Sequence, residues 1–331
     1  MSAKMARKDP ELNWPRSSVR SLRRALPARL ALGPRSRPAL GILLLLLGLL
    51  VPLLPLGSYA LQISSQAVVF ATLSVAWSLL RRAGAISFGH AAYFGTGAYA
   101  SALLALNLGW SPWLGTLVGA FAAASVALIV GWICVPLRGP YFALGTLASA
   151  EIMRALVLNG GGLTGGSLGL VFIPAFAHGR AEEFWAAWTW LCLAIAVSWF
   201  MAHGRAGLAL SATRQNMVAA EALGLPAQRV RLLALIVSGF IAGLAGGSYA
   251  HFVGYLDANL VFGLLFSAAP MVMAMFGGSL TIAGPVLGGL ILYLVDALYF
   301  SRFTPTTHGA LYGIVIISLI LARPAGLLGR K

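Results

Sequence analysis

Charge is scarce in this chain, and acid is scarcer than base. Asp, Glu, Lys and Arg make up 9% of its 331 residues, and only eight of them are acidic. A soluble domain carries about 25% charged residues. A water-covered globule is therefore excluded, and with 59% hydrophobic residues the expected class is an all-α polytopic membrane protein. Lysine is confined to Lys4, Lys8 and Lys331. A phosphate-binding loop needs a lysine after its glycines, so the body of the chain cannot hydrolyse ATP by that route. The two cysteines, Cys134 and Cys192, lie in apolar runs and read as buried free thiols. The five histidines (His90, His178, His203, His251 and His308) form no i, i+4 pair and have no cysteine nearby, so neither a metal nor any other cofactor is expected. Without clustered acids and bases, no catalytic centre emerges and a membrane enzyme is disfavoured.

What the chain does have is a net charge of +15 with an uneven distribution. Residues 1–38 hold Lys4, Arg7, Lys8, Arg16, Arg20, Arg23, Arg24, Arg29, Arg35 and Arg37 against Asp9 and Glu11. This segment reads as a disordered cytoplasmic tail facing anionic lipid, not as a nucleic-acid binder. It is too long and basic for a simple signal peptide, and no Ala-x-Ala site follows, so cleavage is not expected.

Apolar runs of about 17–25 residues cross a bilayer. Ten candidates fall in residues 39–331: 39–57, 59–80, 84–106, 112–135, 140–158, 183–202, 231–253, 262–279, 283–300 and 309–322. The eighth and ninth are short and read equally as one span with a re-entrant piece. With both termini in the cytoplasm, every one of the 23 cations except Arg154, Arg180 and Arg302 falls on the inner side, as the positive-inside rule requires. Two groups of five spans would make the second half an inversion of the first, with span 59–80 matched to 231–253 and a substrate path between the halves. Gly239, Gly243 and Gly247, and likewise Gly284 and Gly288, recur every four residues, a spacing that brings membrane helices close together.

Four stretches are candidates for function. The third span opens with Ser87, His90, Tyr93 and Tyr99 among four glycines and a small-residue stripe. In a membrane such a backbone is buried or lines a wet path, so this is either a path helix or a tightly packed one. Glu151 and Arg154 lie three apart in the fifth span, on one helical face. They read as a structural pair or as a charged site near the outer end. The outer loop 159–169 has six glycines with Thr164 and Ser167. It is either a flexible connector or a nest of N–H groups for a carboxylate. Finally, the polar segment between the sixth and seventh spans reads as one short cytoplasmic helix over about 211–224, with Ser211 as N-cap and Gly224 past its end before Pro226. A membrane subunit driven by a separate motor needs such a helix, whereas a carrier does not.

Several of these stretches together resemble the branched-chain amino-acid ABC transporter permeases, in particular their LivM-like members. The resemblance rests on Ser87–Tyr99, on Leu137–Ala148 with Glu151 and Arg154, and on Leu163–Leu170. It continues with Ala219–Gly224, and with Gly284–Gly288 and the terminal Arg323–Gly329. It covers residues 60–330 and implies a type II-like importer fold of about ten helices in the bacterial inner membrane. It also implies a LivH-like sister permease, two cytoplasmic ATP-binding subunits and a periplasmic substrate-binding protein. The inner segment, with Arg214, Ala219, Ala220, Glu221, Ala222, Leu223 and Gly224, then resembles the coupling helix that contacts an ATPase subunit. The expected cargo is Leu, Ile or Val, with urea, short amides or aromatic acids as the cargo of close relatives. A stand-alone carrier or channel remains the competing class. Leu168 and Gln215 depart from the family pattern, which often has Asn and an acid there.

Overall fold

The structure, a computed structural model, describes residues 48–53, 55, 57–176, 179–299 and 326–328. The described elements are helical: α1 (Ser58–Arg82), α2 (His90–Leu108), α3 (Pro112–Cys134), α4 (Pro140–Leu158), α5 (Arg180–Ala202), α6 (Gly204–Gln215), α7 (Met217–Ala222), α8 (Ala227–Val253), α9 (Ala258–Val261), α10 (Leu265–Gly277) and α11 (Ala283–Leu298). Extended pairing among them is limited to one antiparallel bridge, Leu170 with Leu256. Six segments are long and apolar enough to cross a membrane: α1, α3, α4, α5, α8 and α9–α10 taken together. Helix α2, with 19 residues, lies among them although His90, Thr96, Ser101 and Asn107 dilute its hydropathy. Helix α11 has 16 residues. The basic tail and the expected span 309–322 lie outside the described residues, as does most of 39–57.

Two boundaries differ from expectation. The third span begins at His90, not residue 84, because Gly84 takes a left-handed turn (φ 80°) and the following residues fold under the bundle. The eighth begins at Leu265, not residue 262, because Phe262–Leu264 form the turn between the short α9 and α10.

Small residues set the packing. On α8, a Cβ at Gly239 would lie 2.5 Å from the Ala127 Cβ, one at Gly243 2.6 Å from the Ala123 Cβ, and one at Gly247 2.9 Å from the Thr116 Cγ2. The glycine stripe read from the sequence is thus the seam between α8 and α3. Gly246 faces the other way, against the Phe94 carbonyl of α2, and Gly97 of α2 abuts Gly243. Gly284 and Gly288 of α11 do the same job against Gly277 and Met273 of α10. Without a hydrophobic drive between helices in lipid, such close approach is what supplies van der Waals attraction.

The contacts repeat in a pattern. Helix α8 packs on α2 and α3, which pack on each other. Helix α1 packs on α10 and α11, which also pack on each other, and α1 meets α8. Exchanging α1 with α8, α2 with α10 and α3 with α11 reproduces the same pairings.

Candidate functional site

Helix α4 is the least covered of the six spans, with 28% of its apolar window buried. Pro140 sits in its first turn after Gly139 (φ 54°), an arrangement that starts a helix cleanly. Phe142, Thr146, Ser149 and Ala150 turn inward, whereas Tyr141, Leu144, Glu151, Ile152 and Leu156 face out. On that outer face Arg154 Nη2 meets Glu151 Oε2 at 2.7 Å, and Arg154 Nη1 donates to Asn259 Oδ1 at 3.0 Å. Asn259 Nδ2 in turn donates to Asp257 Oδ1 at 3.3 Å. The Glu151 and Arg154 side chains are 51% and 36% exposed. The pair is a charged spot toward the C-terminal end of a helix face that is otherwise apolar, with Leu144, Ile152 and Leu156 exposed beside it. Sequence spacing found the pair. It missed Asn259 and Asp257, 105 and 103 residues beyond Arg154, whose only local sign is the Asp257 cap on α9.

The glycine loop is a folded turn rather than a slack connector. Thr164 Oγ1 donates to the Val157 carbonyl at 2.6 Å, and Gly165, Gly166 and Gly169 all have positive φ. Gly169 lies against the Leu256 carbonyl with no room for a side chain. Leu170 exchanges two backbone hydrogen bonds with Leu256, both 2.9 Å, which ties the loop to the α8–α9 corner. Ser167 is exposed, and so is Leu168.

The polar residues around the start of α2 are elsewhere. Ser87, His90 and Tyr93 are fully buried and Tyr99 nearly so. Ser238 Oγ donates to the Ala76 carbonyl at 2.7 Å, so His90 Nε2 must be the donor in its 2.9 Å bond to Ser238. Ser267 accepts from the Ala91 N–H and Thr146 from the Phe88 N–H. These groups cap the N-terminus of α2 and stitch α1, α4, α8 and α10 to it. The structure therefore does not bring them together with Glu151, Arg154, Thr164 and Ser167; the bonded Ser87 and His90 support the packing reading, whereas the buried Tyr93 and Tyr99 hydroxyls have no partner among the described residues. A third buried knot was not anticipated: His251 Nδ1 donates to the Pro174 carbonyl at 2.6 Å, and Ser101 Oγ donates to Nε2 at 2.8 Å.

The polar segment is two helices, not one. Ser211 lies inside α6, and the N-cap of α7 is Asn216, whose Oδ1 accepts from the Ala219 N–H at 3.0 Å. Gly224 (φ 84°) ends α7 as expected: Leu225 N–H bonds the Ala220 carbonyl and Gly224 N–H the Glu221 carbonyl, a Schellman motif. Ala220 turns inward. Ala219, Glu221, Ala222 and Leu223 are exposed, Leu223 by 89%. Arg214 lies apart from them, its backbone against Gly84 at the end of α1. Removing the Asn216 cap by Asn216→Ala should lower thermal stability by about 1 kcal/mol, read as a shift in Tm; no shift would mean the cap is not formed.

A bundle of helices, six segments of which are long and apolar enough to cross a bilayer, defines a multi-pass membrane protein. Residues 59–320 match the family described as branched-chain amino acid transport system / permease component, and the chain belongs to it. It is 26% identical to the high-affinity branched-chain amino acid transport system permease protein LivM of Escherichia coli over 84% of this chain and 74% of that one. It is 27% identical to the autoinducer 2 import system permease protein LsrC of Yersinia pseudotuberculosis over 72% of this chain and 65% of that one. To LivH of Escherichia coli it is 28% identical over 56% of this chain and 63% of that one. No solved structure matches.

Proposed function

We propose that this chain is one of two membrane subunits of an ATP-driven importer for Leu, Ile or Val. The observation that carries this is the open Glu151–Arg154–Asn259 network on the least covered span. On this reading a second subunit, a LivH-like sister permease, lies across this charged spot. Cargo delivered by a periplasmic binding protein passes along this face. Two cytoplasmic ATP-binding subunits, which bind the ATP, drive the cycle through the exposed side of α7. Family membership and the likeness to LivM support the amino-acid cargo. The likeness to LsrC supports a different small polar solute as the second reading.

The proposed count stays at ten spans, of which 309–322 and most of 39–57 lie outside the described residues. The exchangeable pairings of α1–α3 with α8, α10 and α11 support an inverted repeat. Both termini lie in the cytoplasm of a bacterial inner-membrane protein. A reporter fused after Gly162 should then be periplasmic and one after Asn216 cytoplasmic; the reverse labelling sinks this orientation.

The test of function is uptake by the reconstituted complex. Wild type should accumulate labelled leucine with ATP. Glu151→Gln with Arg154→Gln should cut uptake about tenfold or more while the complex still assembles, since neutralising both leaves no unpaired charge. Unchanged uptake would remove α4 from the path. Leucine affinity of the cognate binding protein, measured against urea, short amides and aromatic acids, decides the cargo.

A further inference from the structure

The molecule carries a second charged feature, which includes Arg214 of the expected coupling set but lies apart from the exposed side of α7. At the opposite end of the bundle from the glycine loop, a cavity of about 170 Å³ opens between the last turn of α1, the end of α5 and helix α6. Arg82, Arg214 and Ser211 line it, and Arg81 lies close enough to Arg214 for their charges to repel. Arg82 Nε and Nη2 are buried and have no hydrogen-bond partner among the described residues. Among the described residues ion pairs are confined to Arg154–Glu151 and Arg180–Glu183, so no described acid pairs with these arginines.

A buried guanidinium left bare is costly, and like charges beside it add to the cost. The cavity is well below the roughly 300 Å³ of a pocket for a drug-sized ligand, which excludes a nucleotide but leaves room for a phosphate group. Its surroundings say what else the ligand carries. On the last turns of α5, beside the rim residue Ala202, Trp199 is 53% and Phe200 74% exposed, and Leu208 on α6 is 71% exposed. Aromatic side chains at that level are the mark of a bilayer interface, and basic pockets between spanning helices take anionic headgroups. We propose that Arg82, Arg214 and Ser211 form a binding site for the phosphodiester of an anionic phospholipid, whose acyl chains lie against Trp199, Phe200 and Leu208. Bound there, the lipid's single negative charge offsets one of the two lining arginines and lowers their mutual repulsion, and the headgroup joins α6 to the end of α1.

Native mass spectrometry of the purified full-length protein tests this with three probes: phosphatidylglycerol, phosphatidylcholine and inorganic phosphate. Wild type should retain phosphatidylglycerol in preference to phosphatidylcholine, and millimolar phosphate should not displace it. Each arginine near a lipid surface contributes about a fivefold factor in affinity. The double variant Arg82→Gln, Arg214→Gln should therefore bind phosphatidylglycerol about 25-fold more weakly, and Arg82→Lys with Arg214→Lys should restore most of the loss. Should the double variant fail to fold, Arg214→Gln alone carries the test with a fivefold loss. Unchanged affinity in the Gln variants overturns the site. Equal displacement by phosphate overturns the lipid assignment. Unchanged lipid affinity with loss of a co-purifying ATPase subunit would show that a protein acid, not a lipid, seats on these arginines.

Discussion

Gly246→Val should abolish the folded protein. A Cβ at this position would be built onto the Phe94 carbonyl oxygen of α2, and it would also crowd the Ala98 amide nitrogen at 3.1 Å. Both are backbone atoms of a helix, so no side chain can rotate to make room. Overpacking a well-filled interior costs about 1–3 kcal/mol when side chains can adjust. Here α2 and α8 would have to separate as whole helices. Gly97 against Gly243, and Gly243 against Ala120, would lose their contact together with Phe94 and Gly246. The expected readout is loss of the monodisperse species on size exclusion and of protein from the membrane fraction. Gly57→Ala is the control, because nothing lies within 4 Å of a Cβ there. A Gly246→Val protein with wild-type elution and Tm would show that the α2–α8 seam is looser than described.

The second large effect concerns α7. Glu221→Lys combined with Leu223→Asp should leave the permease folded and disconnect it from its motor. Both side chains are exposed and Leu223 almost wholly so, so neither change disturbs the bundle. Val218, 57% exposed, completes an apolar patch on a six-residue helix that lies outside the membrane-grade runs. On the proposed function these two apolar side chains are where the ATP-binding subunit seats. Reversing the charge and inserting an acid should reduce co-purification of the ATP-binding subunits and ATP-dependent uptake by about tenfold or more, the scale of a truncated interface anchor. Unimpaired association would dismiss α7 as the coupling element, and the permease reading would then need another contact.

Much of this was legible in the sequence, and the rest was hidden for identifiable reasons. The glycine repeat on α8 announced a helix seam because a four-residue period puts small residues on one face, and the structure seats that face on Ala127, Ala123 and Thr116. Glu151 and Arg154 were visible because charge inside an apolar run is rare. The Gly224 stop was visible because a left-handed position before proline has few solutions. Ser211 misled, since Asn216 also caps and only the chain path decides between them. The residues Ser87, His90, Tyr93 and Tyr99 read equally as a path or as packing, because local spacing does not say which groups find partners. The groups that bond His90 and the Phe88 and Ala91 amides, namely Ser238, Thr146 and Ser267, come from helices 58 to 176 residues away. Local spacing carries no record of such tertiary capping.

The seam between Phe94 and Gly246 has a consequence for how the protein is made. The two residues are 152 positions apart. At about 5–20 residues per second, a ribosome needs roughly 10–30 s between them. Through that interval α2 and α3 sit in the bilayer with the groove for α8 unfilled. The groove is lined by Gly97, Gly119, Ala120 and Ala123, which lipid tails can cover, and it also holds His90 and Ser101, whose partners Ser238 and His251 arrive only with α8. The small residues that later permit close approach thus keep the groove open, while two polar groups in it that lack their α8 partners favour the arrival of the missing helix.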